Sequence, residues 1–499
     1  MAYKDANFIR LLNAASAPQF IIESTHIDAE PYSERVQWSS FHTGAGHQAI
    51  LTPGFQINSG QLQPMTWDAS TGSFAFGILR ASFRPESITR GQVLALLVGY
   101  PGLPWAQFER VAVGRIWSAT AIGAEVRITC RDLLALGSRF ATATNKTGLF
   151  GSLTGDVVDA AFTKNSSNRL TVVSTSGFQY SETGAGAIDG ALLCTPTAGD
   201  AFYLRYTAAP SATVFNSVST LDVWNTTQIT LESPNPVLEV AMIEDHPANI
   251  ALRILSSSGN PGQNGAYDDL PETWGFDIGD AYLDISDVQH QVTRTQPASG
   301  SALWTVLETT EQTNPGDWLR AFLAPGGWFL AMRQGSITCR AVPLLDSPQL
   351  RIDDVDIVAI RSQDFWSKDY DVEYQRISIL AKDGTQQGTS EAVQTNPAQA
   401  VSEHTIPVYT NESAQCAEVV GRLKLYELRI PERLVLTLIG ARGDLAIGEE
   451  ILLTTRLGTD RRGRALTERP CVLLSIDVDW WAGVSEAVLM IPADSATEI

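Results

Sequence analysis

At 499 residues the chain is longer than one ordinary core can serve, and three or four domains are expected. Apolar residues make up 44%, ample for globular packing, while Gly and Pro together number 63 and, with many Thr and Ser, favour strands and turns over helices. The balance of 35 basic against 55 acidic residues gives a net charge of −20, which disfavours binding of nucleic acid through an open surface, because phosphate contact needs Lys/Arg clusters. Arg461-Arg462 is an isolated turn pair and not such a cluster. Acidity of this kind serves solubility.

The first portion, residues 1–143, reads as β-rich. Ser73–Leu79 alternates, Gly91-Gln92 opens the apolar run Val93–Val98, and Arg110–Trp117 with Ala124–Cys130 form another strand pair. Asp132 is placed to cap a short helix, Leu133–Leu136. Residues 144–233 are rich in Thr, Ser, Gly and Asn and poor in charge. With strand candidates at Leu170–Val173, Ala201–Tyr206 and Gln228–Leu231, they read as a β insertion domain.

Residues 234–341 turn to a helical period. A helix start at Asp245-His246-Pro247 leads to Ala248, Leu252 and Leu255 on one face, with a stop at Gly259. A second helix opens at Asn314-Pro315 and carries Trp318, Phe322 and Leu323. A hairpin follows, Trp328–Arg333 and Ser336–Val342 across Gln334-Gly335. Within 342–499, Leu380–Glu403 reads as a loop. A helix capped by Asn411 then carries Cys416, Val420 and Leu423 on one face. Strands follow: Leu434, Leu436 and Leu438 share one side, Val472, Leu474, Ile476 and Val478 another, with Ser475, Asp477 and Asp479 opposite, and Ala487, Leu489 and Ile491 close the series. The fold class expected is β-rich α+β, multidomain.

This order resembles the central hub proteins of tailed-phage tail tips and baseplates. The resemblance rests on the helix opening Asn-Glu-Ser-Ala-Gln-Cys-Ala from Asn411, and on the step Leu445-Ala446-Ile447-Gly448-Glu449. It also rests on a first domain ending in a short helix, and on the passage from Trp328 to Thr338 after Gly326-Gly327. The resemblance implies two small β-barrel-like tube domains per chain, from 1–143 and 342–499, decorated by the 144–233 insertion and the helical 234–341 region. It implies a homotrimer whose domains form a ring of six around the DNA channel. The implied partners are a tail tube or distal tail protein, a tip or central fibre protein and a tape-measure protein, with DNA passing through without specific binding. The location implied is the virion tail, assembled in the host cytoplasm. Asp477, Asp479, Trp480 and Trp481 are the candidate lumen or interface residues.

Chemical sites weigh less. The spacing of His42 and His47 suits no helix face and lacks a partner Cys for zinc, so no metal is expected. Glu244-Asp245-His246 is explained by the helix start. Gly184–Gly190 has the wrong spacing for a dinucleotide fingerprint, so no cofactor is expected. Arg442-Gly443-Asp444 sits where a turn belongs. Paired acids at Asp268-Asp269 and Asp353-Asp354 keep a glycoside or cell-wall hydrolase as the alternative reading, and the Thr/Ser-rich insertion keeps a carbohydrate-binding adhesin as a third. No catalytic residue is assigned. Five widely spaced cysteines, no CxxC, no signal-peptide core and no apolar run long enough to span a bilayer point to reducing surroundings.

Overall fold

The computed structural model describes residues 17–24, 36–40, 50, 56–58, 60–63, 67–82, 90–135, 155–164, 166–176, 178, 181–183, 187–199, 201–220, 229–240, 242–258, 262–269, 275–295, 304–307, 319–320, 322–324, 327–343, 345, 348, 350–365, 376–380, 386–391, 403–407, 432–460 and 463–492. The helix expected from Asn411, the His42–His47 segment, Arg461-Arg462, Asn314–Trp318 and Gly184–Gly186 lie outside these residues. The protein is mostly β. It divides into two compact units, the first of residues 1–135, 281–297 and 320–499, the second of residues 136–280 and 298–319.

The first unit is built on a 13-stranded sheet. Its strands in chain order are β1 (Gln19–Ser24), β2 (Val36–Ser39), β3 (Gln56–Asn58), β4 (Ser73–Leu79), β5 (Val93–Gly99), β6 (Glu109–Ile122) and β7 (Glu125–Asp132). After helix α1 (Ile285–Thr295) and a separate hairpin of β8 (Trp328–Arg333) and β9 (Ser336–Ala341) come β10 (Leu350–Asp353), β11 (Ile357–Asp364), β12 (Glu432–Ile439), β13 (Glu450–Thr459), β14 (Ala465–Asp479) and β15 (Val484–Ile491). The order across the sheet is β2-β1-β5-β6-β7-β4-β3-β14-β15-β12-β11, with β13 on β14 and β10 on β13. It therefore consists of two six-stranded lobes fused through the three residues of β3.

Each lobe curls toward a barrel. In the first, Ile50 bridges Ile78 of β4 and donates its N–H to the Ser39 carbonyl at the end of β2 (3.2 Å), joining the two lobe edges. Trp38 and Phe76 meet behind that seam, ring centroids 5.6 Å apart. In the second lobe, β10 passes through a single 3-10 turn, Asp354–Asp356, directly into β11, so chain continuity links the edges. One core fills both lobes: Ile22, Phe74, Leu96 and Ile128 from the first, Leu436, Leu453, Ile476 and Leu489 from the second.

The strands follow the sequence pattern with one instructive departure. Leu434, Leu436 and Leu438 enter the core as expected, as do Ala487, Leu489 and Ile491. On β14 the register shifts between Leu473 and Ser475. A bulge adds a residue and reverses the alternation, so Cys471 and Leu473 share the core with Ile476, Val478 and Trp480, while Val472 and Leu474 leave that row. The Leu133–Leu136 helix is also replaced, over its described residues, by a turn at Leu133-Leu134. The Asp132 carboxylate accepts the Leu134 N–H (3.0 Å), and a side chain that mimics a turn in this way competes with helix. Within Leu380–Glu403, expected as a loop, Gln386–Glu391 is a strand. It pairs with Arg376–Leu380, which also pairs with Glu403–Pro407. Backbone pairing sets that strand, since Gln386–Glu391 offers no apolar alternation to read.

The second unit carries a 7-stranded antiparallel sheet whose longest members are Ala187–Cys194, Phe202–Ser211 and Val214–Thr220. An aromatic core of Phe162, Phe178, Phe202, Tyr206 and Phe215 sits against it. Strands Pro236–Val240 and Met242–Asp245 occupy sequence expected to be helical; the helix itself runs Pro247–Ser256. His246 caps it, accepting the Ala248 N–H at Nδ1 (3.3 Å).

The β8–β9 hairpin is the strut of the first unit. Its tip, Gln334-Gly335, has φ of 49° and 74°, the turn that matches strand twist. A Cβ on Gly335 would lie 2.8 Å from Val113 and 3.0 Å from the Ala112 backbone, so the tip seats against β6. At the other end, a Cβ on Gly448 (φ 80°) would lie 2.3 Å from the Phe329 ring. The strut is locked by Asp287 of α1. Arg340 Nε and Nη2 donate to its two oxygens at 2.8 and 3.0 Å, Thr338 Oγ1 at 2.7 Å and Arg333 Nη1 at 3.2 Å. Burial pushes the Asp287 carboxyl up, but Arg340, these hydrogen bonds and Arg333 outweigh it and hold it below the usual carboxylate range. Asp287→Ala removes the two short bonds of buried Arg340 and leaves it the longer contacts to Glu449 and the Ile447 carbonyl. The expected loss is about 3–5 kcal/mol in urea unfolding followed by fluorescence; a loss under ~1 kcal/mol would show that the clamp is dispensable.

Candidate functional site

The fusion of the lobes creates one continuous exposed face. Cross-strand register aligns Arg115, Arg131, Ser73, Asn58, Asp477, Glu486, Thr437 and Ala359 in a single row running β6-β7-β4-β3-β14-β15-β12-β11. Opposed residues point to the same side of a sheet, and the next row, Cys130, Phe74, Ile57 and Val478, is the one that faces the core. Arg131, Asn58, Asp477 and Glu486 are exposed, Arg115 and Ser73 half-buried, and Thr437 lies under Arg361, whose Nε donates to its hydroxyl (2.8 Å). With strands about 4.8 Å apart, the cationic end at Arg131 and the acidic end at Asp477 are separated by about 14 Å.

Both ends hold like charges in direct opposition, which costs stability in isolation. Asp477 faces Glu486, and partial burial followed by the Glu486 carboxylate raises the Asp477 carboxyl above its ordinary range. Arg115 faces Arg131. Between and beside them Trp117, 42% exposed, lies under two guanidiniums, Arg131 at 3.7 Å and Arg90 at 5.0 Å from the ring centroid. These contacts hold the indole in place while leaving area for a partner.

The structure separates the four residues singled out from the sequence. Asp477 stands on the exposed face. Asp479 has its Oδ1 committed to a turn, accepting the Trp481 and Ala482 N–H groups at 3.0 and 2.8 Å. Trp480 is 2% exposed and belongs to the core, and Trp481 is 52% exposed. Glu486, Arg131 and Trp117, which complete the face, escaped sequence reading. Their signal is the opposite-sign charge on exposed positions of two long strands, visible only once register is known.

Other acidic and turn motifs are structural. Asp268 is buried and accepts from Ser258 N, Ser258 Oγ and Asn264 N at 2.8, 2.7 and 2.9 Å, while Asp269 pairs with Arg253 at 2.9 Å. Asp354 binds Thr455 Oγ1 (2.6 Å) and Arg456 N (3.0 Å). Arg442 and Asp444 close on each other at 2.9 and 3.1 Å. Ala187–Gly190 begins a strand, not the loop-to-helix turn of a dinucleotide site. Among the described residues, no group of three or more His, Cys, Asp or Glu stands where it would hold a metal, and no helix is long and apolar enough to cross a membrane.

At the fusion of the lobes lies a small cavity of ≈ 60 Å³, lined by Ile57, Phe74, Asp132, Gln334, Val478 and Trp480 among others. Asp132 is the buried carboxyl there. It accepts the Gly72 N–H at 2.6 Å, yet burial pushes it up to about 7.

No protein-family model and no curated protein matches the chain. Among solved structures, a tail protein from Neisseria meningitidis aligns over 95% of this chain and 96% of its own at 10% identity and TM-score 0.39. The 43 kDa tail protein of prophage MuSo2 from Shewanella oneidensis aligns over 95% and 98% at 12% identity and TM-score 0.39. Prophage tail protein gp18 from Listeria monocytogenes aligns over 97% of both chains at 9% identity and TM-score 0.38. At these scores the fold description rests on the strand topology above.

Two outcomes are expected. A carboxyl whose folded value is raised contributes stability that is fully present below its unfolded value of 3.8 and is lost as pH rises through about 7. The wild-type Tm minus that of Asp132→Asn is therefore higher at pH 5 than at pH 8.5 by calorimetry; a pH-independent difference would refute the assignment. Asp479→Ala is expected to cost ~1 kcal/mol by loss of the turn acceptor, and Asp479→Asn, which keeps Oδ1, clearly less. Equal losses in urea titrations would mean that charge, not the turn, is what matters.

Proposed function

We propose that this chain is a structural component of a virion tail: the central hub of a phage tail tip or baseplate, acting as a homotrimer around the DNA channel. The observation that carries the reading is the fusion of two six-stranded, barrel-like lobes into one sheet through β3. Three such chains supply six lobes, the number that matches a six-fold tail tube. The sequence resemblance to hub proteins over the Asn411 opening, the Leu445–Glu449 step and the Trp328–Thr338 passage points the same way. The four-part division at 143, 233 and 341 then describes two tube domains with an insertion and a middle region between them.

In this reading the exposed polar row from Arg131 to Glu486 faces the lumen. Its small and hydrophilic residues offer DNA no continuous basic track, and the net charge of −20 per chain repels phosphate. The partners are a tail tube or distal tail protein on one side, a tip or central fibre protein on the other, and a tape-measure protein within. The work is binding, and catalysis is not part of it.

Mass photometry with negative-stain imaging across concentration is expected to find trimeric rings with a central hole. A persistent monomer that clears cell-wall suspensions would replace the hub by the hydrolase. For the lumen assignment, virions carrying Asp477→Asn with Glu486→Gln are expected to eject DNA more slowly; unchanged ejection kinetics would remove that row from the channel.

A further inference from the structure

The two lobes share a pairing scheme. In each, a long strand spends its first part on one neighbour and its second part on the next. β14 pairs with β13 through Ala465–Val472 and with β15 through Val472–Asp479. β6 pairs with β5 through Glu109–Arg115 and with β7 through Gly114–Ile122. A fourth strand adds to the third in both lobes: β12 on β15, and β4 on β7. A fifth then adds to the fourth: β11 on β12, and β3 on β4.

The schemes part at one place. In the second lobe the far edge of β14, at Asp477–Asp479, is covered by β3, which pairs antiparallel with both β14 and β4. Among the described residues the equivalent stretch of β6 has no such cover. Among the described residues only β7 pairs with Trp117–Ile122, and all six of these residues are exposed, with Ile122 at 60%. The stretch Trp-Ser-Ala-Thr-Ala-Ile has no charge and no proline to blunt the edge, and its one irregularity is the register shift between Ile116 and Ser118. The contrast with β13 is direct: there the free end is blocked by Asp354, which takes the Arg456 N–H. The counterpart of β3 in the second lobe is β11, and among the described residues its backbone pairs with β12 alone, while the Gln363 side chain donates to the Thr459 carbonyl of β13. Val358 (55%), Arg361 and Ser362 of β11 are exposed.

We infer that the junction β4-β3-β14 inside the chain is repeated between copies as β12-β11-β6, with β11 of one copy adding antiparallel to Trp117–Ile122 of the next. The occupant of the open edge is thus a second copy of this chain. One copy has the strand that the other lacks, and a head-to-tail contact of this kind satisfies both edges in every copy once the ring closes. The outward row supports it: sheet continuation sets the acidic Asp477–Glu486 stretch of one copy on the same face as the cationic Arg131–Trp117 end of its neighbour, so charge alternates around the assembly. The inference rests on the homo-oligomeric hub reading and names the interface that the reading requires.

The test uses the full chain. Native mass spectrometry and mass photometry would compare wild type with Ala119→Pro, Thr120→Pro and the double variant; of two consecutive residues, one directs its N–H to the open edge. The expected result is a ~10-fold or greater rise in the concentration at half assembly for at least the double variant. Circular dichroism of the monomer checks that the lobe is still folded, and Thr120→Lys offers a gentler block if the proline variants unfold. A second arm pairs Thr120→Cys with Arg361→Cys in one chain. Oxidation is expected to yield disulfide-linked dimers and trimers on non-reducing gels, and neither single variant should give a ladder. Wild-type trimers that survive the edge blocks, together with no ladder from the paired cysteine variant, overturn this junction while leaving the hub reading intact. A wild-type chain that stays monomeric at every concentration overturns both.

Discussion

Asp287 is a carboxylate removed from water and returned to favourable surroundings by two guanidiniums and a hydroxyl. Arg340 meets it in a two-pronged pair, and Arg333 and Thr338 fill its remaining acceptor sites. Arg340 in turn reaches the Ile447 carbonyl and Glu449 (both 3.4 Å), and Glu449 accepts the Ala446 N–H (2.9 Å). One buried cluster therefore ties together helix α1, both strands of the β8–β9 hairpin and the Leu445–Glu449 step of the second lobe. Such a cluster adds little net stability over an apolar core of equal volume, but it tolerates almost no alternative geometry, because any shift strands a buried charge. Its value is positional.

What it positions is the strut. The hairpin touches the second lobe at Gly448 and the first lobe at Gly335, and both contacts require glycine because a Cβ would collide with Phe329 or with the β6 backbone. Arg110 strengthens the first-lobe end, with Nη2 donating to Ser336 Oγ (2.9 Å) and to the Ala281 carbonyl (2.6 Å). β3 alone, with three residues, is a narrow bridge between two barrel-like lobes. Together with the strut it becomes a two-point attachment that fixes the angle between the lobes.

Much of this architecture is legible in the sequence. Leu434-Leu436-Leu438 and Ala487-Leu489-Ile491 alternate with period two, and turn chemistry at Gln334-Gly335 marks the hairpin. His246-Pro247 marks a helix start. What the sequence hides is of three kinds. A bulge inverts the alternation of β14 part-way, so Val472 and Leu474 read as core partners of Ile476 while the real partners are Cys471 and Leu473. Side chains that satisfy local backbone, such as Asp132 and Asp479, look like free acids until the N–H groups that donate to them are seen. Long-range pairing carries no local signature at all: nothing near Asp287 announces Arg340, and nothing near Asp477 announces Glu486 or Asn58. Of the four candidate lumen or interface residues, Asp477 stands on the row, Asp479 lies on the same side of β14 with Oδ1 held in a turn, Trp480 is buried and Trp481 is exposed.

The row of opposed like charges follows from the same hidden register. A lone sheet gains nothing from setting Arg115 against Arg131 and Asp477 against Glu486, and a monomer selected only for stability would have replaced one member of each pair. The two unfavourable pairs are opposite in sign, lie on one face, and flank the bridge that makes the two lobes one surface. The cost carried within one chain is thus tolerable if the surface is completed elsewhere, and the Trp117–Ile122 edge of β6, which among the described residues only β7 pairs, is where the proposed completion would begin.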